Sequence, residues 1–262
     1  NEAIAQAADV IRKSQRPIAV IGATAMRMKT PESLRAFVTR HGIPFASTTM
    51  AKGLIDEDHP FAIGCIERAG RQAQRAFLRG ADLIIGLGYD TVEVEYEAWA
   101  GNVPVLNIDI DFADVAATVN VVHEIVGDLD ASVARLAALP AMRNAWLPEV
   151  LRQHRDGFQR SLRPSTMQFS PHQAIDVVRR LLPRDGVLAF DIGAHTHQIA
   201  GQWAAHAPRT FLITNGWSSM GFGLPAGIGA VVAPGLLPTR DNGHGLDVAE
   251  GVDEERVAPE RL

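Results

Sequence analysis

The chain has one cysteine in 262 residues, and that scarcity excludes an internal disulfide. A lone thiol, Cys65, fits a reducing compartment such as the cytoplasm. No apolar stretch approaches the roughly 18 residues of a membrane-spanning helix. An excess of positive charge is also lacking. Lys and Arg number 25 against 30 Asp and Glu, for a net charge of −5, which argues against nucleic acid as a main partner. The opening residues Asn1–Gln6 carry neither an initiator Met nor a signal-peptide pattern and read as a cut made in front of a helix. What is present is a composition 47% hydrophobic, enough to build a packed core in one large domain or two smaller ones.

Short apolar runs alternate with helical patterns along most of the chain. Ile4, Ala7, Ala8 and Ile11 have helical spacing. Strands are predicted at 17–22, 45–49, 82–88, 103–109 and 121–126. Helices are predicted at 31–40 with Thr30 as cap, and at 68–78, 112–118, 128–138 and 141–158. Such a series implies a parallel sheet covered on both faces, a Rossmann-like α/β unit over residues 1–159. Residues 160–169 read as a linker. Ser170-Pro171 opens a helix to about Leu182, followed by a strand at 187–191, a helix at about 195–205 and a strand at 210–214. This second α/β unit, 170–236, is short and incomplete. The acidic stretch 237–262 shows no usable periodicity and is expected to be disordered.

Two segments carry chemistry. Asp191-Ile-Gly-Ala-His195 lies at the carboxyl end of a predicted strand, before a helix, where N–H groups can meet a phosphate. The segment Gly216-Trp-Ser-Ser-Met-Gly-Phe-Gly-Leu-Pro-Ala-Gly-Ile-Gly-Ala230 spends glycine inside a helix, which costs up to about 1 kcal/mol per residue and implies close packing or approach to a ligand. Other candidates read as structural. His195 and His197 diverge on a helix, so no metal site is expected there. Cys65 lacks a basic neighbourhood and is expected to be inert. Asp109 and Asp111 are expected to cap the next helix. Trp99, Trp146 and Trp203 are expected to be packing residues.

Taken together, the two segments resemble the diphosphate-binding domain of thiamine diphosphate enzymes, in particular the acetolactate synthases. Met50-Ala-Lys-Gly-Leu-Ile-Asp-Glu-Asp-His-Pro60, Leu87-Gly-Tyr-Asp-Thr-Val-Glu93, Asn107-Ile-Asp-Ile-Asp111 and Val126-Gly-Asp128 resemble that family's central domain. The resemblance spans residues 1 to about 235. It implies that Ile192, Gly193, Ala194 and His195 contact the cofactor diphosphate. It also implies that Ser218, Ser219 and Met220 hold the aminopyrimidine, with Met220 beneath the thiazolium. In the intact family, thiamine diphosphate with Mg²⁺ serves decarboxylation of pyruvate and carboligation to a second 2-oxo acid, in a homo-oligomer. Departures from the family pattern narrow this. Thr239-Arg-Asp-Asn-Gly-His244 does not supply the family's metal motif, and the domain bearing the activating glutamate is missing. The chain is therefore expected to be inactive alone, with weak or absent cofactor and metal binding and with no catalytic or metal-ligating residue assigned. Gly22-Ala23-Thr24 and Asp90 suit an FAD diphosphate poorly, so FAD is not expected. The alternative is a non-catalytic nucleotide-binding or assembly module built on the central domain.

Overall fold

The computed structural model describes residues 2–89, 93, 99–115 and 118–232. The chain opens with α1 (Glu2–Lys13), β1 (Pro17–Ile21), a short 3-10 turn (Ala23–Arg27), α2 (Glu32–His41), β2 (Phe45–Thr48) and β3 (Ala62–Ile66). There follow α3 (Arg71–Leu78), β4 (Leu83–Leu87), β5 (Val105–Asp109), β6 (Val121–Val126) and α4 (Leu129–Ala138). The six strands form one sheet in the order β3-β2-β1-β4-β5-β6, every neighbouring pair parallel. This is a doubly wound α/β fold whose order reverses between β1 and β4. The strands read as unbroken apolar runs because both faces are covered. Ala19, Ile21, Ile85 and Leu87 pack against α1, α2 and α4, while Ile18, Val20 and Ile84 pack on the opposite face against Leu78, Trp99 and Leu151.

Several local expectations are corrected. The strand β3 is not legible in the pattern, because its short run follows Pro60 and is broken by Gly64. Gly64 has φ +102°, and a Cβ there would lie 2.7 Å from Gln74 Nε2 and 2.9 Å from the Phe158 ring. Residues 112–115 are irregular rather than helical, and 116–117 lie outside the described residues. Asp109 and Asp111 each accept the amide of the next residue, Ile110 and Phe112, in a bend, and the residues at 112–115 that they were expected to cap are not helical. Thr30 does not cap α2. Its amide and hydroxyl both donate to Asp130 on α4, and Pro31 occupies the cap position. Residues 141–147 carry no regular element. The helix α5 (Pro148–Ser161) begins only at Pro148, whose fixed φ suits a first turn.

The α5 helix buries a histidine against the sheet. His154 stacks on Phe77 at 3.9 Å between centroids, and its Nε2–H donates to Gln74 Oε1 at 3.0 Å. Gln74 in turn donates to the carbonyls of Ile63 and Cys65. Burial pushes His154 down to about 4. The unfolded chain, with an ordinary imidazole near 6.5, then binds more protons than the folded one at acid pH. Stability from this group is complete above about pH 6.5 and is lost as the pH falls toward 4. Because His154 keeps some solvent contact, the expected loss is on the order of 1–2 kcal/mol. Urea midpoints at pH 7.5 and pH 4.5 measure it, and His154→Gln should shrink the difference between them. An unchanged difference would refute the assignment.

The remainder forms a smaller layer. Residues 162–170 carry no regular element, and α6 (Pro171–Leu181), β7 (Leu188–Ala189), α7 (Ala194–Gln202), β8 (Phe211–Leu212) and α8 (Gly223–Val232) follow. A capping box opens α6, with the Ser170 amide donating to Gln173 Oε1 at 2.9 Å. The parallel pair β7–β8 packs with α7 around Phe190, Ile199, Trp203 and Phe211. The glycine-rich α8 approaches β7 closely at Gly223, where a Cβ would lie 2.9 Å from the Phe190 carbonyl carbon. At Gly229 nothing lies nearby. Trp99 and Trp203 are core residues and Trp146 is half-buried, its indole N–H donating to the Pro17 carbonyl, as packing roles require. The stretch 237–262, expected to be disordered, lies outside the described residues.

The loop from Thr49 to Pro60 holds the smaller layer against the large sheet. Lys52 is buried, and its Nζ donates to Glu57 at 2.7 and 3.0 Å. Glu57 also accepts from Ser47 Oγ and from the Ala205 amide, each at 2.9 Å. Arg184 reaches both Asp56 and Asp58, and His206 Nδ1 lies 2.9 Å from Asp56. The residues gripped on the smaller layer, Arg184, Ala205 and His206, all precede its strands and so lie at one end. Its other end is left for the loops that follow β7 and β8.

Candidate functional site: a cleft at the carboxyl ends of the second sheet

Because β7 and β8 run parallel, the loops after them open on the same side. Asp191 joins the two loops. Its carboxylate accepts the Ile192 amide at 2.9 Å and the Gly221 amide at 2.8 Å, so the first loop caps the start of α8. Hydrogen bonds from Ile192, and then from the Gly221–Gly223 backbone, hold its carboxyl below the usual carboxylate range. The loops face a cleft of about 200 Å³, whose other wall comes from the large sheet through Thr49, Met50, Glu67, Arg71, Glu93 and Trp99.

Of the seven residues implied by the sequence, Ile192, Gly193 and Ser218 line this cleft. Ala194, His195, Ser219 and Met220 do not. His195 is exposed and turns back onto the Asp191 carbonyl, 2.9 Å from Nε2, and Met220 is also exposed. The residues that sequence reasoning missed are Thr196, His197, Ile213, Thr214 and Asn215. The Thr214 hydroxyl is buried without a hydrogen-bond partner. Ser218 has φ +49°, a left-handed conformation that costs a non-glycine residue on the order of 1 kcal/mol and marks sites under constraint. Neither feature leaves a trace in composition or periodicity. His197 bridges to the opposite wall, its Nδ1 lying 3.0 Å from Glu67 Oε1.

A second crevice marks the reversal of the large sheet between β1 and β4. There Gly22 and Gly88 bring the two strand ends together. The Ala23 amide, first of the 3-10 turn, donates to Glu93 Oε1 at 2.8 Å, while Glu93 Oε2 accepts from Thr48 at 2.6 Å. A carboxylate of the chain itself thus occupies the amide that a nucleotide phosphate would use. Asp90, the other acid set against an FAD diphosphate, lies outside the described residues.

Comparison with known proteins accounts for both halves. Residues 4–136 match the family model "Thiamine pyrophosphate enzyme, central domain", which is half of the chain. The chain belongs to the thiamine pyrophosphate enzyme family. Residues 191–242 match the model "Thiamine pyrophosphate enzyme, C-terminal TPP binding domain", which begins at the Asp191 loop. The acetolactate synthase large subunit of Parasynechococcus marenigrum is 30% identical over 240 residues, covering 88% of this chain and 38% of that protein. The acetolactate synthase large subunit of Lactococcus lactis is 29% identical over 226 residues, 84% of this chain and 39% of its own length. The large subunit of Escherichia coli acetolactate synthase isozyme 1 is 28% identical over 237 residues, 88% and 42% respectively. This thiamine pyrophosphate enzyme chain thus spans about two fifths of the length of the curated relatives it matches. The acetolactate synthase-like reading of the sequence stands.

Among the described residues one group of three could ligate a metal, Asp56, Asp58 and His206. The Arg184 guanidinium already spans its two carboxylates, at the end of the layer remote from the cleft. The stretch Thr239–His244, where the metal motif would fall, lies outside the described residues. Cys65 is buried, and burial pushes its thiol up to about 12, so the inertness expected of it has a physical cause. No described helix is long and apolar enough to cross a membrane.

Proposed function

We propose that this chain builds the diphosphate-holding half of a thiamine diphosphate site in an enzyme acting on 2-oxo acids. The observation that carries this reading is the convergence, on one cleft, of the amino end of α7 with the buried, unpartnered Thr214 hydroxyl. The first N–H groups of a helix have no intrahelical acceptor, and the helix dipole favours an anion beside them. Ile192 and Gly193, which line the cleft, with Ala194 and His195 acting through their backbone N–H groups at the start of α7, are the residues to hold the diphosphate. Ser218, Ser219 and Met220 would border the ring system. When bound, thiamine diphosphate accepts the electron pair left by loss of CO₂ from a 2-oxo acid. The part of the described residues is to bind and orient: α7 neutralises charge, the Asp191–Gly221 bonds keep the two loops together, and the large sheet closes the cleft over them.

Binding to this chain is expected to be weak, since the described residues offer no carboxylate pair free to bring Mg²⁺ to a diphosphate. Both cleft glutamates are engaged, Glu67 with Thr49 and His197, Glu93 with Ala23 and Thr48. The chain alone is expected to form no acetolactate from pyruvate. FAD is not expected to bind, because the Glu93 carboxylate holds the Ala23 amide.

Titration calorimetry with thiamine diphosphate and Mg²⁺ tests the reading. Ala194 is exposed at the first position of α7, so Ala194→Asp should leave the helix as stable or more so. The same charge sits beside the first α7 amides that would hold the diphosphate. Affinity should fall about tenfold or more while the melting temperature holds. Thiamine without its phosphates should bind equally poorly to both proteins, and FAD should give no saturation. Undiminished binding by Ala194→Asp would refute the pose.

A further inference from the structure

The contact between Glu67 and His197 has a geometry that packing does not require. The two side chains come from opposite walls of the cleft, Glu67 from the end of β3 and His197 from the first turns of α7, and both line it. Their side chains are 16% and 34% exposed, so the pair is shielded while the cleft still reaches it. The carboxylate is held on all sides. Glu67 Oε2 accepts from Thr49 Oγ1 at 2.8 Å, and Oε1 accepts from the Arg68 amide at 2.6 Å as well as from His197 Nδ1 at 3.0 Å. A carboxylate so fixed selects the imidazole tautomer with its proton on Nδ1. Nε2 is left with no partner among the described residues. A hydroxyl, a carboxylate and an imidazole in series, ending in one ring nitrogen on a ligand cleft, is the arrangement that orients a general acid–base.

We infer that His197 is the acid–base group of this cleft, oriented by Glu67 and Thr49, and that it exchanges a proton through Nε2 with the carbonyl oxygen of a 2-oxo acid. The inference takes its substrate class from the function proposed above. When a carbon nucleophile adds its electron pair to the carbonyl carbon, the π bond of the C=O breaks and its pair moves onto the oxygen as negative charge. The Nε2–H bond of the imidazolium breaks as the new O–H bond forms, leaving neutral imidazole with its remaining proton on Nδ1 toward Glu67. Reversal of the step returns the proton to Nε2. In this scheme Glu67 and Thr49 are positioning residues. His195, two residues earlier, has its Nε2 on the Asp191 carbonyl and takes no part.

Two measurements on the full chain test this without turnover. First, ring nitrogen-15 shifts, assigned by their disappearance in His197→Gln, should show neutral His197 protonated on Nδ1. Glu67→Leu should shift the ring toward the Nε2–H tautomer, and Glu67→Gln, which keeps an acceptor oxygen, should not. Second, 3-bromopyruvate, a 2-oxo acid that alkylates nucleophiles, should form an N–C bond at His197 Nε2 with loss of bromide, located by peptide mass spectrometry. The buried Cys65 thiol should not compete, and excess pyruvate should abolish the labelling. An Nε2–H tautomer in the unmodified chain, or labelling of His197 that pyruvate does not reduce, would overturn the proposal. Protected labelling in a chain that fails to bind thiamine diphosphate would support the pair and refute the cofactor reading. Cofactor binding with His197 unlabelled would do the reverse.

Discussion

Gly22→Ala is expected to destabilise the large sheet by about 3 kcal/mol or more, lowering the melting temperature by roughly 10 °C. Gly22 follows β1 at the sheet reversal, and its amide donates to the Leu87 carbonyl at 3.1 Å. A methyl group there would overlap the Gly88 carbonyl oxygen and the Tyr89 Cα, and would lie 2.7 Å from Glu93 Oε1. Two of the three obstacles are backbone atoms at the end of β4. That strand is hydrogen-bonded to β1 along its length, so it cannot move aside without breaking the ladder. The third is the carboxylate that holds the Ala23 amide and the Thr48 hydroxyl. Thermal unfolding followed by circular dichroism gives the shift. A variant within about 2 °C of the parent would show that the approach at Gly22 is not as close as described.

Gly53→Ala is expected to release the smaller layer while leaving the six-stranded sheet folded. Gly53 has φ +82°, a conformation disfavoured for a side-chain-bearing residue, and a Cβ there would overlap the Ala207 carbonyl oxygen. Ala207 lies between α7 and β8, beside the Ala205 and His206 contacts made by Glu57 and Asp56. The strain therefore falls on the seam between the layers. The parent should melt in one transition and the variant in two, the first exposing residues 171–232 to hydrogen exchange. Thiamine diphosphate affinity should fall with that first transition, because one wall of the cleft comes from the large sheet. A single transition at the parental temperature would refute this role for the seam.

Much of the large unit is legible in the sequence, and the reasons are local. Runs such as Pro17–Ile21 and Leu83–Leu87 alternate with amphipathic helices, and a strand buried on both faces has no polar side to disguise it. The Asp191–His195 loop is legible because a glycine set between a strand and a helix marks a tight turn at the helix's amino end. Most of the misses have causes that lie outside the local pattern. The strand β3 hides behind Pro60 and Gly64, and the need for glycine at position 64 comes from its φ of +102°, from Gln74 and from Phe158, the last more than ninety residues away in sequence. Thr30 resembles a cap in its neighbourhood, but its hydroxyl is taken by Asp130 across the α2–α4 contact. Asp109 and Asp111 resemble helix caps, yet each accepts the amide of the next residue, and residues 112–115 are not helical.

The sequence by itself determined the α/β class and the cofactor family, and it singled out the two loops proposed to meet the cofactor. The class is encoded in the periodicity of contiguous residues, and the family in the resemblance of contiguous motifs to those of known enzymes. Only the tertiary structure decided which side chains share the cleft. It turned His195 onto its own loop, set His197 against Glu67, left the Thr214 hydroxyl buried without a partner, and placed Glu93 on the Ala23 amide. Three of these four features depend on where the smaller layer sits or how its loops fold back, and the seam that seats it is built from Lys52, Gly53, Asp56 and Glu57. A hydrogen bond between residues 130 positions apart follows from how two layers dock, and the one-dimensional pattern of hydrophobic spacing contains no record of that docking.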